Sequence, residues 1–318
     1  MAVTLAEAKK NVQDALQMGV IDEFRKSNWL LNNLTFDDAV TPTGGGATLT
    51  YSYTRLLTQP KASFRAINTE YTPQEVTKQR YSADLKIFGG AFEIDRIIAG
   101  MGGIVSEVTL QMEQKIKAAQ ALFNDTVING DNAVDETAFD GLEKALTGSS
   151  TEYIPGAAID LSTSAAIDMN YQRFLDELDD FLSGLNGKPD ALLMNRKLLM
   201  KTRACARRTA AYQITIDEWG RNVETYDRIP LVDVGEKPGT NDMVIPIDPT
   251  AKTTSLYAVR LGLDAFHGVS MAGQPPVRTW LPDFTTAGAV KKGEVEMVAA
   301  VALKATKAAG VMRKIKVG

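Results

Sequence analysis

Four carboxylates fall within one short stretch of this chain, Asp176, Glu177, Asp179 and Asp180, and together they are a candidate cation site. A calcium-binding loop needs a glycine-centred turn with ligands at alternate positions, and no glycine interrupts this run. The residues lie instead on the polar side of an apolar-periodic segment, so they read as a solvated or salt-bridging helix face. The stretch Arg196–Arg208 has the opposite sign, with Arg196, Lys197, Lys201, Arg203, Arg207 and Arg208. Such a basic helix suits a phosphate backbone or a carboxylate surface. Tyr212 is the only aromatic close by, so the stacking platforms of single-strand binders are missing. Pairing with acidic residues of a neighbouring subunit, Asp176–Asp180 among them, is the favoured reading.

No other group of residues assembles a catalytic set. Ser162, Ser164 and Ser270 stand in no Gly-x-Ser-x-Gly context. Asp217, Glu218 and Arg221 read as local salt bridging. His267 is the single histidine, which excludes a multi-histidine zinc site and leaves it to ordinary packing or surface placement. Cys205 is the single cysteine, which excludes an intrachain disulfide. Its arginine neighbours could lower its pKa, but no base lies near it in sequence, so it reads as structural. Pro42-Thr43-Gly44-Gly45-Gly46 has the glycines of a phosphate loop without the Gly-Lys-Ser/Thr that completes one. The expectation is a protein that is not an enzyme and holds no cofactor or metal.

Bulk composition agrees with a folded chain of about two domains: 318 residues, 44% hydrophobic, 23% charged, net charge −4. That charge gives no general affinity for nucleic acid. No run approaches the roughly 18 apolar residues of a membrane span. The opening MAVTLAEAKK lacks the basic-then-apolar order of a secretion signal.

The elements that carry these residues are unlike one another. Thr4-Leu5-Ala6-Glu7 reads as a helix-capping box, followed by the apolar stripe Leu5, Ala8, Val12 and Leu16. Ile21, Phe24, Trp29 and Leu30 continue an apolar surface. Thr48–Tyr53 alternates polar residues with Leu49, Tyr51 and Tyr53, as a hairpin arm does, with Pro60, Lys61 and Arg65 at a polar tip. Such a ribbon has too little apolar surface to hold itself folded and needs a partner. Val76–Phe92 reads mostly as strand anchored by Val76, Tyr81, Leu85, Ile87 and Phe92, with a bend or bulge at Gly89-Gly90. Val108, Met112, Ile116, Ala119 and Phe123 recur at helical spacing over 106–129, a helix of roughly 35 Å. Ala138-Phe139-Asp140-Gly141-Leu142 forms an apolar hook behind it. Helices over 167–184 and 195–208 alternate with short strands at 191–194, 229–234, 242–247 and 256–261, an α/β layer pattern. Strands over 277–280, 295–304 and 311–317 close a basic tail.

This order resembles the major capsid proteins of tailed double-stranded DNA bacteriophages, the HK97-like fold shared with encapsulin shells and herpesvirus capsid floors. The hook at 138–142, the strand-to-helix stretch Pro189-Asp190-Ala191-Leu192-Leu193-Met194-Asn195-Arg196 and Ile229-Pro230-Leu231 resemble recurrent features of that family. The resemblance implies an α+β fold in which 1–46 are an N-terminal arm and 47–75 an extended β-hairpin loop. It makes 76–150 and 262–318 a peripheral domain with a spine helix over about 106–129, and 151–261 an α/β axial domain.

It further implies self-assembly through pentamers and hexamers into an icosahedral virion shell around packaged double-stranded DNA, built in the bacterial host cytoplasm. The partners implied are a portal protein, a separate scaffolding protein and decoration proteins, with no membrane. Leu16, Trp29, Tyr51, Tyr53, Lys61, Arg65, Arg196, Arg203 and Arg207 are the expected subunit contacts. An encapsulin-like compartment is the first alternative. An α/β enzyme and a tail or connector protein stay open behind it.

Overall fold

The computed structural model describes residues 29–40, 48–58, 60–100, 106–209, 213–216, 222–273 and 277–318. Helix α1 (Trp29–Asn33) leads into strand β1 (Phe36–Val40). Strands β2 (Thr50–Leu56) and β3 (Lys78–Asp84) form a separate hairpin, and β4 (Lys86–Asp95) follows a one-residue kink at Leu85. A single turn, α2 (Arg96–Ala99), precedes the long helix α3 (Glu107–Asn129), and α4 (Leu142–Leu146) closes the hook behind it. The α/β part holds β5 (Glu152–Tyr153), β6 (Ile159–Asp160), α5 (Ser164–Ser183), β7 (Ala191–Met194), α6 (Arg196–Arg208), β8 (Gln213–Ile216), β9 (Asn222–Tyr226), β10 (Ile229–Asp233) and β11 (Thr253–Val259). The chain ends with β12 (Phe266–Met271), β13 (Val277–Trp280), β14 (Val290–Leu303), a 3-10 turn at Thr306–Ala308, and β15 (Ala309–Lys316).

A five-stranded sheet is built on β14, with β12 and β13 along one edge, β4 along the other, and β1 parallel to β12. The first half of β14 alternates in burial and the run Met297–Leu303 is buried throughout. Small side chains at Ala299, Ala300 and Ala302 suit a strand covered on both faces. Helix α3 lies on this sheet and buries Met112, Ala119 and Phe123, with Val108 and Ile116 half-buried beside them. Its 23 residues span about 34 Å at the α-helical rise. Its end is closed by glycine. A Cβ on Gly130 would lie 2.2 Å from the Phe139 carbonyl oxygen, and one on Gly141 would lie 2.5 Å from that of Thr126. The hook therefore folds tightly onto the helix terminus and buries Phe139 and Leu142.

An eight-stranded sheet runs β5-β15-β11-β7-β10-β9-β8, with β6 also on β15. Helices α5 and α6 cover one face through Phe174, Leu178, Phe181, Leu198 and Cys205. Its other face, through Leu193, Val232, Tyr257 and Val311, shares one core with Phe123, Phe139 and the buried end of β14. Thr163 Oγ1 caps α5, accepting from Ala166 N at 3.1 Å. Asn195 Oδ1 caps α6, accepting from Leu198 N at 2.9 Å.

Several expectations are corrected. The tail strands, which the resemblance places together in the peripheral part, divide between sheets: β14 belongs to the five-stranded sheet, whereas β15 pairs with β11 in the eight-stranded one. Residues 304–308 are thus a crossover between sheets. Gly89-Gly90 does not break β4, which pairs with β14 in unbroken register from Lys86 to Asp95. Glycine is needed there because a Cβ on Gly89 would fall 2.0 Å from the Val295 carbonyl oxygen. No strand forms over 242–247. Side-chain amides take the carbonyls that a strand partner would have used: Asn129 Nδ2 donates to Val244 O at 2.7 Å and Asn195 Nδ2 to Ile245 O at 3.1 Å. Val76 and Ile87 are exposed, whereas Leu85 and Phe92 are buried as strand anchors.

Candidate assembly interface

The hairpin pairs β2 with β3 from Thr50↔Asp84 to Leu56↔Lys78. Beyond it, every described residue from 56 to 80 is exposed. Among them are large apolar side chains: Leu56, Leu57, Phe64, Ile67 and Tyr71, with Phe64 fully exposed and Ile67 90% exposed. Apolar groups displayed on a projecting ribbon make it a candidate contact surface.

The tip holds its shape through local polar bonds. Leu57 N donates to Thr77 O at 2.9 Å, and Lys61 N donates to Gln74 Oε1 at 2.7 Å. Arg65 Nη1 donates to Thr69 O at 3.2 Å, and its guanidinium lies 5.5 Å from the centroid of the Tyr71 ring. Asn68 takes a left-handed φ of 66°, a conformation asparagine tolerates better than most residues.

The root of the hairpin is moored to the body. Alternation along β2 turns Tyr51, Tyr53 and Arg55 inward and Ser52 and Thr54 outward. Tyr51 is buried, and its hydroxyl donates to Asp37 Oδ2 at 2.8 Å. Tyr53 Oη donates to Leu303 O at 2.9 Å. Burial raises the pKa of both tyrosines. Beneath Tyr51 lies His267, fully buried, with ring centroids 5.7 Å apart edge to face. Neither imidazole nitrogen makes a well-formed hydrogen bond among the described residues. Burial first, and the Lys304 charge second, push its pKa below the ordinary value.

The expected contact residues divide accordingly. Lys61 and Arg65 stand exposed on the loop, and Arg196 and Arg207 stand exposed on α6. Trp29 packs half-buried against the main core, and Leu16 lies outside the described residues. Tyr51 and Tyr53 do not face outward; they tie the loop to its own subunit. Arg203 is also turned inward, with Nη2 2.7 Å from Glu224 Oε1 on β9. Arg208 pairs with Asp168 at 2.6 Å. The basic helix is therefore partly neutralised within the chain rather than held wholly for a neighbour.

The acidic run behaves as a salt-bridging surface. Glu177 pairs with Arg173 at 2.7 Å and Asp179 accepts from Tyr226 Oη at 2.8 Å, and no metal-ligating cluster occurs among the described residues. Cys205 is buried, and burial pushes its thiol up to about 11 against the pull of Arg208 and Lys201. Desolvation outweighs the neighbouring positive charges, and the buried thiol accords with the structural reading of Cys205. Asp217, Glu218 and Arg221 lie outside the described residues. Sequence reasoning missed Phe64, Ile67 and Arg55. The two apolar residues are legible as isolated hydrophobes in a polar stretch, whereas nothing local marks Arg55.

No protein-family model matches the sequence, and no curated protein matches it. Solved structures do match, over nearly the whole chain. The holo-SrpI encapsulin complex from Synechococcus elongatus PCC 7942 aligns with a TM-score of 0.65 and 14% identity, covering 100% of this chain and 97% of that one. The capsid of a native GTA particle aligns at 0.62 and 12% identity, covering 96% and 95%. A chain of Mycobacterium phage Bobi aligns at 0.59 and 14% identity, covering 98% of each. The protein therefore has the mixed α+β HK97-like fold. The β2–β3 hairpin and its tip stand apart from both sheets as a loop, and α3 is the long helix on the five-stranded sheet.

Proposed function

We propose that this chain is the repeating subunit of a closed icosahedral shell, a structural protein rather than an enzyme. The observation that carries the reading is the projecting loop, whose tip displays Phe64 and Ile67 to solvent, uncovered by any of the described residues. A second copy is the natural cover, because a repeated head-to-tail contact between identical subunits closes a ring when its rotation closes, and a shell is built of such rings.

Within that class we read the shell as a phage capsid enclosing double-stranded DNA, assembled with a scaffolding protein and a portal. Solved capsids such as that of Myoviridae phage XM1, which aligns at a TM-score of 0.57 with 12% identity, support it. A cargo compartment is the second reading, favoured by the encapsulin alignment at 0.65. Electron microscopy of the purified protein, with and without a candidate scaffolding partner, tests both. Closed shells, or pentamers and hexamers, bear out the shell. Shells that package nucleic acid through a portal favour the capsid, and shells that enclose a single co-expressed protein favour the compartment. A strictly monomeric chain under both conditions sinks the proposal.

A further inference from the structure

One side chain touches both strands of the hairpin and the segment that joins the two sheets. Arg55, on β2, donates from Nε to Lys304 O at 2.9 Å and from Nη1 to Thr306 Oγ1 at 3.3 Å. Its Nη2 donates to Leu303 O and, at 3.2 Å, to Tyr53 Oη. The guanidinium carbon sits 4.2 Å from the centroid of the Tyr81 ring on β3. The Tyr53 and Tyr81 rings stack beside it, 5.9 Å apart and 18° from parallel.

The acceptors mark a particular place in the fold. Leu303 is the last residue of β14 in the five-stranded sheet, and Ala309 is the first of β15 in the eight-stranded sheet. Lys304 and Thr306 lie in the crossover between them. Arg55 spends its donors on carbonyl and hydroxyl oxygens of this crossover. A planar fork of fixed donors bridges three such separated acceptors while lying on an aromatic face, whereas a lysine ammonium is a compact point charge without that fixed spread.

We propose that Arg55 is a positioning residue that fixes the direction in which the extended loop leaves the subunit, by fastening both hairpin strands to the crossover between the sheets. The proposal rests on the shell reading, in which loop direction decides whether the tip meets its neighbour. The leverage is large. Arg55 is the penultimate residue of β2, so Phe64 and Ile67 lie beyond the clamp, and a tilt of about 10° there moves a group about 15 Å further out by about 3 Å. Apolar contact is lost over such a distance.

The test measures direction and assembly separately. Spin labels go on Ala62→Cys in the loop and on Val134→Cys, an exposed site on the body (86% exposed), in a Cys205→Ala background diluted with unlabelled chain. The expected result is one narrow distance distribution in the parent and at least a twofold broader one in Arg55→Ala. Arg55→Lys should fail to restore the narrow distribution, and Tyr81→Leu should broaden it partly. Should Arg55→Ala not fold, Arg55→Lys and Tyr81→Leu carry the test. Assembly followed by light scattering should slow at least tenfold, or give shells of mixed diameter.

An unchanged distribution in the Arg55 variants overturns the proposal whether or not shells form. A broadened distribution with unchanged assembly rate and diameter overturns the link to assembly. A parent chain that forms no shells, but whose distribution broadens in Arg55→Ala, sinks the shell reading and leaves the clamp standing.

Discussion

The Tyr51 hydroxyl donates to the Asp37 carboxylate at 2.8 Å, joining the first strand of the extended loop to β1 across the root of the hairpin. Tyr51 is buried there against His267, and the Lys304 ammonium lies 5.4 Å from the centroid of its ring. Its truncation is therefore a change to the subunit core and not to a free surface, although the sequence alone reads Tyr51 as a contact between subunits. Tyr51→Ala should destabilise the isolated subunit by about 3–5 kcal/mol. Tyr51→Phe, which keeps the ring and loses one hydrogen bond to a charged group, should cost about 1.5–3 kcal/mol. Urea unfolding of the unassembled chain measures both, and a Tyr51→Ala cost within 0.5 kcal/mol, about the scale of a surface change, would show that this side chain is not core.

Phe64 and Ile67 present the opposite case. Both are exposed on the loop, with no packing against the described residues. The double variant Phe64→Ser, Ile67→Ser should leave subunit stability within about 0.5 kcal/mol of the parent. Sedimentation velocity should show assembly lost or weakened by more than tenfold. Normal assembly by this variant would remove these residues from the interface.

His267 makes stability depend on pH. Its folded pKa lies below its unfolded value, chiefly through burial. As pH falls through the ordinary histidine range near 6.5, the unfolded chain takes up a proton that the folded chain refuses. Stability should fall with acidification across that window and keep falling until the folded pKa is reached. The charged groups that bear on the imidazole are Lys304, which opposes protonation, and Asp37 and Asp264, which favour it. His267→Leu should flatten the dependence between pH 7.5 and 5.5 in urea melts; an equal slope in both proteins would assign the effect elsewhere.

Arg313, on β15, ties three elements together. Its Nη1 lies 2.8 Å from Glu143 Oε1 on α4, its Nη2 donates to Thr147 Oγ1 at 2.9 Å, and its Nε pairs with Glu152 on β5. Tyr257 Oη also donates to Glu143. With Arg313 only 20% exposed and Glu152 13%, Arg313→Ala strands a largely buried carboxylate and should cost about 3 kcal/mol. Thermal unfolding of Arg313→Ala beside Glu152→Gln, Arg313→Ala measures it, and the double variant should recover part of the loss.

The periodic elements are legible in the residues themselves. The helical spacing of Met112, Ala119 and Phe123 locates α3, Phe139 and Leu142 locate the hook, and Ala191–Met194 locates a buried strand, because a 3.6-residue or continuous apolar pattern is local information. The alternation around Tyr51 and Tyr53 announces the hairpin but not the direction of its faces, since period two is satisfied equally by either face. The strands β1, β8, β9 and β12 carry no comparable signal; they are short, and the parallel pairing of β1 with β12 joins Phe36 to Gly268 across more than 230 residues. Order and periodicity alone thus determined a projecting ribbon, a long helix and an α/β block, and the resemblance supplied the α+β fold that contains them. The sheet membership of β15, the inward ion pair of Arg203 and the placing of Arg55 on the crossover were decided only by the tertiary structure. Each depends on a partner distant in the chain, and no residue type or spacing encodes where a charge will find its counterpart once two sheets share a core.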